Sequence, residues 1–388
     1  MFRKHPVLAV VILVIISVLS NVSSPSLQAP VLRTQAQPPS ASSSTSPPSS
    51  AGDTWSFAVS GDSRNCGNVV MPAIAAGVKR DHAAFYWHMG DLRAIYGIDE
   101  DYKNEPEHRG KPLDMQAYLQ DAWSDFIAHQ AAIFAPVPFY AGIGNHELIA
   151  PKTRQEFVAK FQSFLDSPTL HQQRLADDPH DAAHSYYHWI QGSIDFIYMD
   201  NAGKDQFDPA QLKWFEGVLS RARDNDKVRG VVVGMHEALP WSLAAGHSMN
   251  DWPLGVNSGT QVYHDLLDFR SKTKKPVYLL ASHSHFYMSD IYKSAYWTSH
   301  GGVIPGWIVG TAGAVRYPLP QEASAAKEKR EKVYGYLLAT VHPADGAVDF
   351  TFKEVSQGDI SSAVGQRYTP EFIDYCVNQN SEVNKSSK

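Results

Sequence analysis

The sequence predicts an α/β protein, and three observations carry that expectation. Short apolar runs recur, each reading as a buried strand and each ending in polar residues. They are Ser56-Phe-Ala-Val-Ser-Gly-Asp62, Ala84-Phe-Tyr-Trp-His-Met-Gly-Asp91, Phe139-Tyr-Ala-Gly-Ile-Gly-Asn-His-Glu147, Val231-Val-Val-Gly-Met-His236 and Val277-Tyr-Leu-Leu-Ala-Ser-His-Ser-His285. Asp62 and Asp91 lie 29 residues apart, close to the ~30 of a strand–helix–strand unit. The polar residues fall beyond the carboxyl ends of the strands, where ligands bind in open α/β sheets.

Taken in order, 69–79 reads as a helix with Val70, Ile74, Ala75 and Val78 on one face. Residues 95–112 form a charged, loop-like insertion placed to overhang the strand ends. A helix follows over 114–134, its apolar residues at helical spacing. A second insertion carries a helix over 154–165 and then a polar stretch rich in His and Asp. Runs 185–190 and 194–199 flank Gln191-Gly192, a hairpin signal. Asp208 caps a helix over 209–223, with Pro209 in its first turn. Residues 238–259 make a long loop with two Trp, a candidate lid, and 261–273 a helix. Strands are expected over 286–292, 306–309, 334–340 and 348–352, the last two joined by a turn at Asp345-Gly346.

A chain of 388 residues with 43% hydrophobic and 19% charged residues can bury a substantial core. Its net charge of −6 argues against a nucleic-acid binder, which normally shows a basic face. At the amino terminus Arg3 and Lys4 precede an apolar run over 7–19 broken by Ser17. That run is shorter than the roughly 20 residues of a membrane-spanning helix, which favours a cleaved export signal over an uncleaved anchor. The expected destination is periplasmic or secreted, with membrane attachment only if the segment stays uncleaved. No Cys closely follows the run, which disfavours a lipoprotein, and Ala29 sits in a plausible cleavage context. Residues 1–29 are therefore a signal peptide or anchor, 30–52 a disordered Pro/Ser-rich linker, 53–376 the folded domain and 377–388 a flexible tail. Two cysteines, Cys66 and Cys376, leave three readings open: one disulfide, two unrelated thiols, or Cys66 as a metal ligand.

Asp62, Asp91, Asn145, His236, His283 and His285 supply oxygen and imidazole ligands suited to zinc, iron or manganese. Each taken singly reads as a turn or cap residue; their recurrence at successive strand ends points to a metal centre. The order Gly61-Asp62-Ser-Arg64, Gly90-Asp91, Gly144-Asn145-His146-Glu147, His236, Ser282-His283-Ser-His285 resembles the calcineurin-like metallophosphoesterase superfamily and its purple-acid-phosphatase relatives. The resemblance covers about residues 55–317 and implies a sandwich of two facing mixed β-sheets flanked by helices. It implies two metal ions (Mn, Fe or Zn): Asp91 bridging, Asp62 and His285 on the first, and Asn145, His236 and His283 on the second. His146 would be the general acid, oriented by Glu147. Two cations neutralise a phosphate and acidify a bound water, and an imidazole can protonate a leaving alkoxide.

The departures from the family pattern matter. Arg64 stands where that pattern has a His ligand, and an arginine cannot ligate a metal. The Tyr that purple acid phosphatases place three residues after the bridging Asp is Ala94 here, and Tyr96 is out of register. The first metal site is therefore expected to be weak. Two readings of Arg64 stay open, a contact to substrate phosphate or a salt bridge to a site carboxylate. His88 reads as a core histidine and His247 as exposed surface; His108, His129, His171, His180, His184 and His300 read as surface residues. Trp241, Trp252 and Tyr287 line a pocket or simply pack. The expectation is an exported metal-dependent phosphoester hydrolase, a phosphomonoesterase on small phosphorylated substrates. The alternatives are a non-catalytic metal- or phosphate-binding protein on the same fold, a phosphodiesterase, and a metal hydrolase of non-phosphate esters.

Overall fold

The computed structural model describes residues 53–204, 206–244 and 246–382. The expected export segment (1–29), the linker up to 52 and the last residues of the tail lie outside them. In chain order the first strands are Trp55–Ser60 (β1), Tyr86–His88 (β2), Phe139–Ala141 (β3), Tyr187–Gln191 (β4), Ile194–Met199 (β5) and Gly230–Met235 (β6). Val277–Ala281 (β7), Tyr287–Ser289 (β8), Gly306–Val309 (β9), Lys329–Arg330 (β10), Tyr334–His342 (β11) and Ala347–Val355 (β12) complete them. They form a five-stranded sheet, β12-β11-β1-β2-β3, and a seven-stranded sheet, β10-β8-β9-β7-β6-β5-β4. Both are mixed: β1, β2 and β3 run parallel, as do β5, β6, β7 and β9, with antiparallel pairs at the margins.

Alternation along the strands divides the core. Phe196 and Tyr198 of β5 belong to the cluster between the sheets, whereas Ile197 and Met199 belong to the cluster on the outer face, as period-two side chains require. Between the sheets Phe57 meets Phe196 edge-on at 5.0 Å and Trp87 meets Trp189 at 5.2 Å. Such pairs add roughly 0.5–1.5 kcal/mol each beyond the apolar area they bury. The outer cluster is covered by the helices Pro209–Asp224, through Phe215 and Val218, and Pro253–Thr273, through Val262 and Leu266. The helix Gly67–Arg80 buries Val69, Val70, Ile74 and Val78, the face its spacing predicts.

Four expectations change. The helix Pro253–Thr273 starts well before residue 261, because Pro253 at its first position presets a helical φ where the Pro and Gly had read as loop. The candidate lid is correspondingly shorter. The polar stretch after residue 165 contains a helix, Pro168–Asp177, that buries only Leu170 and so shows no apolar period. The insertion over 95–112 does not merely overhang: Asp99, Asp101 and Glu105 are buried, the first two paired with Arg93 and the third accepting from Asn68. The tail is not loose from residue 377, since Asn380 and Ser381 are buried and Arg316 donates from Nε to the Asn380 carbonyl at 3.0 Å. Cys66 and Cys376 form a disulfide, which removes the free-thiol and metal-ligand readings.

Candidate active site

Every predicted ligand follows a parallel strand, so the carboxyl ends of β1, β2, β3, β6 and β7 deliver them to one place. The turns are unusually tight. Asp62, Asp91 and His283 all adopt the left-handed region, with φ of 62°, 59° and 62°, a conformation that costs about 1–3 kcal/mol unless the surroundings enforce it. Here they do. Asp62 N donates to Gly90 O at 3.0 Å, His283 N to Asp62 Oδ2 at 2.8 Å, and Asp91 N to Glu147 Oε2 at 2.9 Å. Gly144 permits the closest approach, since a Cβ there would lie 2.3 Å from Asp91 Oδ1 and 2.9 Å from His236 Cε1.

Asp91, Asn145, His236 and His283 converge. His236 Nδ1 donates to Met89 O at 2.9 Å, which leaves its Nε2 lone pair facing Asn145 Oδ1 at 2.9 Å, His283 Nδ1 at 3.1 Å and Asp91 Oδ1 at 3.2 Å. Acceptors crowded this closely, with Asp91 wholly buried, call for a positive charge among them. Without an ion that charge is a proton on His236: burial opposes it, but the carboxylates of Asp91, Asp62 and Glu237 raise its pKa to about 10, and a bound cation would take that proton's place. Burial and the neighbouring His236 hold His283 well below the usual imidazole range. The donor set of one carboxylate, one amide and two imidazoles fits zinc, manganese or iron, and Asp91, His236 and His283 stand as a candidate metal cluster.

The neighbouring cluster of Asp62, Asp91 and His285 is also close enough to hold an ion, but it is shared with Arg64. The guanidinium is buried, with Nε 3.4 Å from Asp91 Oδ2, Nη2 3.0 Å from His285 Nε2 and Nη1 3.3 Å from Tyr96 Oη. His285 gives its Nδ1 hydrogen to Val315 O at 2.6 Å, so Nε2 is its lone pair, and Arg64 takes it. Arg64 thus forms a salt bridge to a site carboxylate, one of its two expected roles, and this does not exclude the other. Asp62 Oδ1 is buried without a hydrogen bond, 3.2 Å from the same His285 Nε2.

His146 lies beside both clusters, Nε2 3.6 Å from Asp91 Oδ2, with Nδ1 donating to Ala94 O at 2.6 Å. Burial lowers its pKa and Asp91 partly offsets that. Glu147 does not orient it, contrary to the expectation. Its carboxylate accepts from the backbone N–H groups of Asp91, Leu92 and Gly144 at 2.8–2.9 Å and so holds the Asp91 turn. The Ala94 carbonyl orients His146 instead, and no side-chain motif signals a backbone group. His88 is a core histidine, buried against Ser63 and pushed down by burial to about 3.

The rim contains residues that motif reading missed or misplaced. Tyr96 lies over His146 with ring centroids 5.1 Å apart, and Tyr317 stacks on His285 at 4.0 Å. Glu237 Oε1 is 3.3 Å from His283 Nε2; its position directly after His236 was the available signal. His247 is exposed as expected, yet its ring is 5.5 Å from that of His283. Trp241 and Trp252 are exposed, whereas Tyr287 is buried and stacks on Phe352 with ring centroids 4.3 Å apart. His129, expected at the surface, is half-buried with Nδ1 2.6 Å from Asp125 Oδ1.

No family model and no curated protein matches the sequence. Among solved structures the chain is similar to a purple acid phosphatase from yellow lupin (Lupinus luteus) seeds, with a TM-score of 0.51 and 17% identity, covering 80% of this chain and 55% of that one. PhoD matches with a TM-score of 0.49 and 15% identity, covering 80% of this chain and 73% of that one. The chain spans little more than half the length of the lupin protein. At such identities the likeness is one of fold. With its two facing mixed sheets and polar loops gathered at the strand ends, the chain has the fold of the calcineurin-like metallophosphoesterases, as its motifs implied.

Proposed function

We propose that this chain is a metal-dependent phosphoester hydrolase acting on small phosphorylated substrates, as a phosphomonoesterase. The observation that carries the reading is the acceptor cluster of Asp91, Asn145, His236 and His283 with His146 Nε2 beside it. A bound cation supplies Lewis-acid charge for a phosphoryl oxygen and lowers the pKa of a bound water. The chain's residues do the rest. His236 is oriented by its Nδ1 bond to Met89 O and His283 by its left-handed turn, so that each would offer one ring nitrogen to the ion. His146, its Nδ1 hydrogen fixed on Ala94 O, presents Nε2 to the site as the group that would protonate a leaving oxygen. Tyr96, Tyr317 and His247 border the mouth where a leaving group would lie.

Export is part of the proposal. The disulfide between Cys66 and Cys376 suits an oxidising compartment, and among the described residues no helix is long and apolar enough to cross a membrane. The competing reading, a non-catalytic binding protein, draws on Arg64 lying in the first cluster. His146→Ala separates the two. Turnover of an aryl phosphate should fall about 10²- to 10⁴-fold, the usual worth of a general acid, with metal content unchanged. Turnover unaffected by the substitution, or absent from the parent chain across mono- and diester substrates, would remove the enzyme reading.

A further inference from the structure

We infer that this chain holds one divalent cation rather than two, at Asp91, Asn145, His236 and His283, and that the Arg64 guanidinium stands in the place of the other ion as a built-in positive charge. The inference rests on the reading of those four residues as a cation site, and adds what occupies the neighbouring position.

The neighbouring cluster has three candidate ligands, Asp62, Asp91 and His285. One of them is already spent. Val315 O fixes the His285 tautomer, and the remaining lone pair accepts from Arg64 Nη2 at 3.0 Å. A cation there would have to break that bond and sit beside a buried guanidinium of like charge.

Arg64 is not free to withdraw. Its side chain is 7% exposed, Nε faces Asp91 Oδ2 at 3.4 Å, Nη1 donates to Tyr96 Oη at 3.3 Å, and the Tyr317 ring that stacks on His285 interacts with it as well. The charge requirement is met without a metal. Asp62 and Asp91 need a counter-charge in a wholly buried setting, and the guanidinium carries one at every accessible pH. A fork of N–H donors also provides what a metal ion cannot, directional hydrogen bonds to a phosphate oxygen entering from the mouth. By contrast, no Lys or Arg among the described residues contacts Asn145, His236 or His283, whose ring nitrogens and amide oxygen face one another at 2.9–3.2 Å.

The test is metal stoichiometry of the untagged full chain after equilibration with Mn²⁺ and removal of unbound ion, read by elemental analysis and by electron paramagnetic resonance. The expected result is one equivalent per chain, with the six-line spectrum of isolated Mn²⁺. Arg64→His, which restores a ligand and removes the fixed charge, should take up two equivalents and show exchange-coupled Mn²⁺. His236→Ala should lose the single equivalent, and His285→Ala should keep it. Two equivalents in the parent chain, one in Arg64→His, or loss of the ion in His285→Ala but not in His236→Ala would each overturn the inference. If Arg64→His does not fold, Arg64→Ala is read the same way, with binding of a second, weaker equivalent expected and its absence at millimolar Mn²⁺ counting against. One equivalent with no phosphoester hydrolysis would sink the proposed function and leave this inference standing; two equivalents with hydrolysis would do the reverse.

Discussion

Gly144→Ala tests how tightly the turn after β3 sets the site. The backbone there is extended, with φ −114° and ψ 179°, so alanine meets no conformational penalty and only the space is at issue. Its Cβ would lie 2.3 Å from Asp91 Oδ1, where ordinary van der Waals contact begins at 3.4 Å. Asp91 or the turn must therefore move by about 1 Å. The displaced carboxylate is the one aimed at His236 Nε2, and a shift of about 1 Å in a positioning group costs on the order of 10²-fold in rate. The overpacking itself should cost about 1–3 kcal/mol of stability. The assays are kcat/KM on an aryl phosphate, Mn²⁺ content and the thermal midpoint. Gly97, where a Cβ meets nothing within 4 Å, supplies the control in Gly97→Ala, which should change none of them. A Gly144→Ala chain within threefold of the parent in kcat/KM, with full metal content, would refute the reasoning that this close approach fixes Asp91.

Three further outcomes are expected. His188 has Nδ1 2.8 Å from Asp195 Oδ1 and Nε2 against Asp177; burial opposes its charge, but the two carboxylates raise its pKa to about 9. Burial also raises Asp195, but with both ring nitrogens on carboxylates the imidazolium is the form the geometry supports. Because the folded pKa lies above the unfolded ~6.5, this stability is fully present below pH ~6.5 and lost as pH rises through about 9. It amounts to at most about 3 kcal/mol. Urea midpoints at pH 6 and pH 9.5 should differ in the parent chain and differ less in His188→Gln. Asp99 accepts from Ala94 N at 3.0 Å and Asn65 N at 2.7 Å, so Asp99→Ala should lower kcat through the carbonyl that orients His146 while leaving Mn²⁺ content intact; loss of the metal instead would contradict this. The disulfide closes a separation of 310 residues, worth up to roughly 5 kcal/mol by chain entropy, so reduction or Cys376→Ser should lower the urea midpoint, and no change would contradict it.

The strand ends and the candidate ligand residues on them could be read from the sequence alone. A buried strand needs a continuous apolar run and the site needs polar residues just beyond it, and both are local patterns, visible at Asp62, Asp91, Asn145, His236, His283 and His285. The helix Gly67–Arg80 and the hairpin of β4 and β5 were legible for the same reason, because their periods lie within one segment. Partner choice across the chain was not. Arg64 and His285 are 221 residues apart, and only the facing of the two sheets decides that the guanidinium lies between Asp91 and His285 and takes the His285 lone pair. Glu147 sits next to His146 in sequence yet turns to the amides of Asp91 and Leu92, since adjacent residues in a 3₁₀ turn project in different directions. The buried charges around Arg93 read as solvated loop because burial depends on what packs over a segment, which composition does not encode.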